Sequence, residues 1–290
     1  MTSVKNLVLI DAHSIIYRAY HALPPLTAPD NTIINAVYGF SSIFIKIIQE
    51  KEPDFLVAAF DVAAPTLREK EFKEYKAQRQ KMPSDLVLQI PLVKETLDCF
   101  GVPVYEKEGF EADDVIGAIV EQTKGRNDVK IIIVSGDLDI LQLVNDKVEA
   151  YIPQKGVKEA VVFDKAKVFE KYSLQPYQIT DLKGLKGDAS DNIPGVPGVG
   201  EKTAIFLLKE FQNLENLYKN LGGADISSRI RALLLEYKEQ AFLSKKLATI
   251  KKEAPIDFDL ESCAWGGFNK EEIGKLFKKF GFESLIKRLS

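Results

Sequence analysis

Of 290 residues only two are cysteine and two are histidine. Cys99 and Cys263 lie far apart with no CxxC partner, and His13 and His21 cannot build a His-rich zinc site, so neither disulfides nor structural zinc explains the fold. Long apolar runs are also missing. No window approaches the roughly 18 to 20 apolar residues of a membrane span, and the short run at 7–10 is too small for a signal-peptide core, so a cytoplasmic protein is expected. A disordered chain is excluded in turn, because 28% charged residues are interspersed with 46% hydrophobic ones. Finally, there is no basic excess. Lys and Arg number 39 against 42 Asp and Glu, a net charge of -3, which taken alone argues against a phosphate-rich partner.

What is present is an alternation. Apolar stretches with strand character at 7–10, 55–60, 102–105 and 131–134 are separated by helical patterns. Val37, Phe40, Phe44, Ile47 and Ile48 have helical spacing across 35–50, and Val115, Ile116, Ile119 and Val120 across 111–124. The alternation predicts an α/β fold, a mainly parallel sheet with flanking helices. A hairpin is expected from 148–152 and 161–163. From about Pro176 the pattern turns to helices and glycine-rich turns, so two domains are expected, 1–175 and 176–290, packed together without a long linker.

The acids fall where such a sheet binds ligands. Asp11 follows the first strand, Asp61 the second, and Asp137 and Asp139 the strand at 131–134, while Glu111, Asp113 and Asp114 open the next helix. Any one of these could be an ordinary cap. Seven together at the carboxyl edge of a sheet would repel one another unless cations neutralised them. Oxygen ligands with no Cys or His pattern nearby select Mg²⁺ or Mn²⁺. A cluster able to hold two such ions implies metal-assisted attack on a phosphodiester, the logic shared by nucleases, polymerases and phosphatases. A dehalogenase-type phosphatase fits less well, because Leu141 stands where the DxD nucleophile pattern continues to Thr.

Two further stretches stand out. Residues 65–84, PTLREKEFKEYKAQRQKMPS, carry Arg68, Lys70, Lys73, Lys76, Arg79 and Lys81, and helical spacing would align Arg68, Phe72, Tyr75 and Arg79 on one stripe. This is either a solvated surface helix or an element that grips single-stranded nucleic acid. In LKGLKGDASDNIPGVPGVGEKTA, 182–204, a Walker A loop fails because Glu201 stands in the lysine position, and a dinucleotide fingerprint fails because Thr203 replaces the third glycine. A helix-hairpin-helix fits. Gly198 and Gly200 allow a tight turn whose amides, with Lys202 beside them, can bind a DNA phosphate.

FDVAAPTLR, EYKAQR, GFEADDVIG, VSGDLDILQLV and LKGDASDNIPGVPGVGEKTA, in this order, resemble the 5′ nuclease domain of bacterial DNA polymerase I, within the flap endonuclease superfamily. The resemblance covers essentially the whole chain. It implies a PIN-like core, a helical arch at about 65–84, and a helix-hairpin-helix domain. The implied activity is 5′ to 3′ exonuclease and flap endonuclease cleavage of DNA with a 5′ flap, nick or 5′ end, in replication primer removal and repair. A monomer near the nucleoid is expected, with a polymerase domain in cis or in trans and no membrane partner. The implied cofactors are two Mg²⁺ or Mn²⁺ ions, with K⁺ at the hairpin. The tighter ion would draw on Asp11, Asp61, Glu111, Asp113 and Asp114. The second would lie toward Asp137, Asp139, Asp188 and Asp191, the last two presented by one helical turn. Arg68 and Lys76 resemble basic residues that lean toward the scissile phosphate, Arg79 belongs to the arch, and Tyr17, Arg18 and Tyr20 match a segment that contacts substrate. Ala12 departs from the usual glycine. The alternatives are a non-catalytic DNA-junction binding module and a metal-dependent phosphatase. The charge objection also weakens: without the nine proposed ligands the rest of the chain carries a net +6.

Overall fold

The computed structural model describes residues 4–154, 160–223 and 226–289. One sheet holds six strands: β1 (Lys5–Asp11), β2 (Phe55–Phe60), β3 (Val104–Glu106), β4 (Val129–Val134), β5 (Val148–Pro153) and β6 (Ala160–Phe163). Their order is β3-β2-β1-β4-β5-β6. The first five are parallel, and β6 runs antiparallel to β5, as the expected hairpin requires. Every residue of β2 is buried, as in a parallel strand covered on both faces. The strand order reverses at the β1–β4 pair, so the crevice beyond their carboxyl ends is the natural ligand position.

The helices of this α/β part are α1 (Ala12–Ala22), α2 (Asn35–Lys51), α3 (Leu67–Glu71), α4 (Ser84–Val87), α5 (Ile90–Cys99), α6 (Ala112–Thr123) and α7 (Lys165–Tyr172). After them come α8 (Ile179–Lys186), α9 (Glu201–Phe211), α10 (Leu214–Asn220), α11 (Ser228–Glu236), α12 (Lys238–Ala248), α13 (Lys270–Phe280) and α14 (Glu283–Ile286). Period-two alternation divides the sheet between two cores. Val8, Ile10, Leu56, Ala58, Ile132 and Val134 pack with residues of α1, α2 and α5, and Leu7, Leu9, Val57, Ile131 and Ile133 pack with α6. A third core, from Leu174 to Ala241, belongs to α8–α12. Among the described residues no helix is long and apolar enough to cross a membrane.

Two expectations are corrected. Residues 176–290 do not form one helical body. Ile250, Leu260 and Cys263 join one sheet core, while Ile273, Phe277, Phe280, Phe282, Leu285 and Leu289 join the other. The chain therefore wraps the sheet edge, tied by Trp265 N donating to Asp54 O at 2.8 Å and Trp265 Nε1 to Phe100 O at 3.1 Å. Burying Phe277 and Phe282 stabilises this return by about 2 to 3 kcal/mol each. Nor does 65–84 form a continuous helix. α3, with Thr66 as its cap, stops at Phe72, and turns follow with Lys76 in the left-handed region at φ 55°. The proposed stripe is thus broken: Arg68 and Arg79 turn to carboxylates, while Phe72 packs with the cluster of Tyr75, Ile193 and Leu247.

Candidate metal and nucleic-acid site

Asp11 ends β1 and caps α1, accepting from Ser14 N at 3.2 Å and from Ser135 Oγ at 2.6 Å. Burial, reinforced by nearby Asp61 and opposed by these hydrogen bonds, pushes its pKa up to about 6. Asp61, just beyond β2, accepts from Ala112 N at 2.7 Å and so joins the start of α6. Its own amide donates to His13 Nδ1 at 3.0 Å. Asp137, beyond β4, accepts from Asp139 N at 2.9 Å. Three strand ends and one helix start therefore converge, as the sequence implied.

Cations are folded into the same place. Arg68 donates to both oxygens of Asp114 at 2.7 Å, to Glu111 Oε2 at 3.3 Å, to Leu247 O at 3.0 Å and to Thr249 O at 2.9 Å. Only 3% of Arg68 is exposed and 1% of Asp114. Lys76 Nζ lies 2.8 Å from each oxygen of Glu111 and 3.9 Å from Asp191 Oδ2. Buried Tyr75 donates to Glu111 Oε2 at 3.2 Å and to Asp191 Oδ2 at 3.3 Å, and Arg79 Nη2 reaches Asp191 Oδ1 at 2.5 Å. Burial works against charge on Arg68 and Lys76, yet the surrounding carboxylates hold both pKa values above their ordinary ranges. Lys183 joins Asp139 to Asp188. Burial opposes ionisation of Asp188, but Lys183 holds its pKa down to about 2. Burial and neighbouring Asp137 push the Asp139 carboxyl upward.

The loop carrying Asp188 and Asp191 is a backbone hairpin turn: Asp188 and Ile193 exchange two 2.8 Å hydrogen bonds. It depends on Gly187 and Gly195, both with positive φ, since a Cβ on Gly195 would sit 2.1 Å from Gly187 N. The two aspartates are not presented by one helical turn, and they separate. Asp188 faces Lys183 and Asp139, whereas Asp191 faces Tyr75, Lys76 and Arg79 on the Glu111 side.

Two cavities meet at Ser14, Tyr17, Arg79, Asp137 and Asp139. The larger, about 930 Å³, also takes in Arg18, His21, Lys183, Lys186 and Asp188. The other, about 900 Å³, takes in Asp11, Asp61, Glu111, Asp113, Lys76 and Lys94. Asp114 and Asp191 line neither. Arg68 does not lean toward a phosphate position: its donors are spent on a buried clamp. Tyr20 is likewise drawn away, donating to Asp85 Oδ2 at 2.9 Å, which ties α1 to α4. In the hairpin between α8 and α9, Gly198 has φ 81°, Gly200 is the residue before α9, and Lys202 is exposed in its first turn.

The donor set suits hard divalent ions. Asp113 Oδ1 is buried without a hydrogen-bond partner, with Arg68 Nη1 4.0 Å away, and a bound cation would satisfy it. Among the described residues, however, no three Asp, Glu, His or Cys side chains are already gathered as an ion cage. Arg68, Lys76, Arg79 and Lys183 pair with the carboxylates that would otherwise close around an ion. Sequence reasoning missed Lys183, Ser14 and Ser135. Ser135 and Lys183 lie inside the motif stretches 134–144 and 182–204, but the reading there followed the acids and glycines, and Ser14 lies outside every motif.

Residues 6–173 match the family described as 5′-3′ exonuclease, N-terminal resolvase-like domain, and residues 174–271 match 5′-3′ exonuclease, C-terminal SAM fold. The chain is 43% identical over 289 residues to DNA polymerase I of Bacillus subtilis (strain 168), covering 100% of this chain and 33% of that protein. It is 44% identical over 286 residues to DNA polymerase I of Caldicellulosiruptor bescii, covering 98% of this chain and 33% of that protein. The chain thus spans about a third of the length of these curated relatives. Among solved structures, the bacteriophage T5 D15 flap endonuclease (D155K) complex with DNA and metal ions matches with TM-score 0.71 at 19% identity, covering 96% of this chain and 98% of that one. The catalytic core of Rad2 in complex with DNA substrate matches with TM-score 0.64 at 20% identity, covering 96% and 88% respectively. At such identities the structural matches speak for the fold alone.

Proposed function

The chain belongs to the 5′-3′ exonuclease family, and from that premise we propose that it is a structure-specific 5′ nuclease domain, cutting DNA near a 5′ end, nick or flap junction during primer removal and repair. The supporting observation is the convergence of carboxylates from three strand ends and the start of α6 on one sheet edge, beneath a basic segment and between two cavities. Homologous context adds DNA polymerase I, so a polymerase region in cis or in trans is the proposed partner.

Asp11, Asp61, Glu111 and Asp113 would hold one Mg²⁺ or Mn²⁺ ion, and Asp137, Asp139 and Asp188 a second. Asp191 joins the Glu111 side through Tyr75, and Asp114 orients Arg68 and Glu111. When bound, such ions supply an activated water and neutralise the leaving oxygen of an in-line displacement. The chain's own residues do the rest. Lys76 and Arg79, at the cavity mouth, supply positive charge for the phosphate when they leave their carboxylates. Tyr17, at the meeting of both cavities, offers a face for stacking, and Arg18 lines the larger one beside it. Gly198, Gly200 and Lys202 present backbone amides and one ammonium to a duplex phosphate, with K⁺ as the proposed ion of that hairpin.

Incubation with 5′-flap, nicked and blunt duplexes tests this reading. Divalent-dependent cleavage near the flap junction, leaving a 5′ phosphate on the released product and abolished by EDTA, is expected. Binding of the flap with no cleavage at saturating Mn²⁺ would leave only a junction-binding module.

A further inference from the structure

Lys183 lies in the last turn of α8, and its ammonium crosses from the helical region to the sheet edge. It donates to Asp139 Oδ1 and stands 2.5 Å from Asp188 Oδ2. The three side chains are mostly enclosed, with 12% of Lys183, 17% of Asp139 and 16% of Asp188 exposed. The other oxygen of Asp188 is taken as well: Oδ1 accepts from Ser190 N at 2.9 Å and from Ser190 Oγ at 2.6 Å. Asp188 therefore has no unengaged oxygen. Asp139 keeps one, and neighbouring Asp137 has none of its oxygens paired with a cation within salt-bridge distance among the described residues.

We propose that Lys183 is a displaceable positioning residue, a built-in cation that holds Asp139 and Asp188 together until a divalent ion takes their oxygens. The inference rests on the metal-dependent reading above and deepens it by naming what the second ion must displace. An ammonium and a divalent ion sharing one carboxylate oxygen would stand only about 4 Å apart, where like charges in a partly enclosed site repel strongly. One must move. A lysine suits the task, because it is a compact charge on a flexible four-carbon stem, whereas an arginine fork would lock both carboxylates more rigidly. The larger cavity, which Lys183 lines, gives the stem room to swing. The residue would thus keep the sheet edge and the helical region in register without metal, while making second-ion binding a competition.

Mn²⁺ titration followed by electron paramagnetic resonance, together with thermal unfolding in EDTA and in saturating Mn²⁺, tests this on the full chain without measuring cleavage. Lys183→Met is expected to lower the melting temperature in EDTA, to show a larger Mn²⁺-induced rise than the unmodified chain, and to tighten at least one Mn²⁺ site by about tenfold. Lys183→Gln, which retains an amide donor and most of the volume, should tighten binding in the same direction, and it provides the reading if Lys183→Met does not fold. Lys183→Arg should bind Mn²⁺ no more tightly than the unmodified chain. Unchanged or weaker Mn²⁺ affinity in Lys183→Gln, with an unchanged Mn²⁺-induced rise, would overturn the proposal and leave Lys183 as a simple tie between two parts of the fold. Failure of the unmodified chain itself to bind Mn²⁺ would instead overturn the metal-dependent reading.

Discussion

Replacing Arg68 separates two roles that the sequence could not tell apart. A cation leaning on a scissile phosphate would be dispensable for folding, whereas the observed guanidinium is 3% exposed and spends its donors on Asp114, Glu111, Leu247 O and Thr249 O. Arg68→Met would leave the Asp114 carboxylate, 1% exposed, with only the amides of Glu111 and Lys251 as donors. Removing one partner of a buried pair costs about 3 to 5 kcal/mol. For a chain of this size that corresponds to a fall in melting temperature of roughly 6 to 15 °C. Urea unfolding followed by circular dichroism, with EDTA present, measures it directly. A double-mutant cycle with Asp114→Asn should show a coupling of about 2 kcal/mol or more, because the second substitution removes the charge that the first orphans. A variant that melts with the unmodified chain and loses only cleavage would refute the buried-clamp reasoning and return Arg68 to the phosphate.

Three other outcomes follow from the same geometry. Asp137→Ala should abolish cleavage with a melting temperature lowered by less than about 2 °C, because Asp137 is exposed and its carboxylate accepts only from Asp139 N among the described contacts; retained turnover would remove it from the site. Lys76→Met should slow the chemical step more than it weakens flap binding, which single-turnover kinetics resolves, and the reverse pattern would make the segment a tether. For pH, the Asp11 pKa is raised from an ordinary 3.8 to about 6, so its contribution of about 3 kcal/mol is present below pH 4 and lost as pH rises through 6. Metal-free stability should therefore decline between those values while Mn²⁺ affinity climbs, and a flat profile for both would show that Asp11 is not held as described. Asp188, held down to about 2, acts in the opposite sense only below pH 4, where its contribution is lost.

Much of the architecture was legible because it is written in local patterns. The strands at 7–10, 55–60 and 131–134 sit inside β1, β2 and β4, and acids directly after parallel strands must lie at one edge whatever the rest of the chain does. What was illegible depends on distant partners. Helical spacing in 65–84 predicted a stripe, but the attraction of Lys76 for Glu111 and of Arg79 for Asp191 bends the chain into a turn with Lys76 at positive φ. The spacing of Asp188 and Asp191 is equally compatible with a helical turn and with a hairpin turn, and Gly187 and Gly195 decide for the hairpin. The return of 250–289 to the sheet was hidden because its apolar residues look like those of any helical domain. Only the apolar faces of α2 and α5, which these residues cover, say where they go.

The net charge of -3 has a specific location. Nine carboxylates lie at or behind the sheet edge, and four cations, Arg68, Lys76, Arg79 and Lys183, are paired with six of them, Glu111, Asp113, Asp114, Asp139, Asp188 and Asp191. That leaves the cluster at -5, and two divalent ions would bring it to -1. Near-neutrality with metal and strong charge without it have opposite consequences for a polyanion. Metal-free protein should repel DNA at the cavity mouth while Lys76 and Arg79 are held by their carboxylates. Loading the site removes the repulsion and frees both cations toward phosphate, so divalent ions should tighten flap binding as well as permit its cleavage. The salt dependence separates these contributions. Each released cation that meets a phosphate steepens the slope of log affinity against log salt by about 0.9 on duplex or 0.7 on a single strand. Ca²⁺, bound by the same hard oxygens, should therefore raise that slope by about 1 to 2 in the unmodified chain and by correspondingly less in Lys76→Met. Equal slopes with and without Ca²⁺ would mean that Lys76 and Arg79 never leave the carboxylates they hold here.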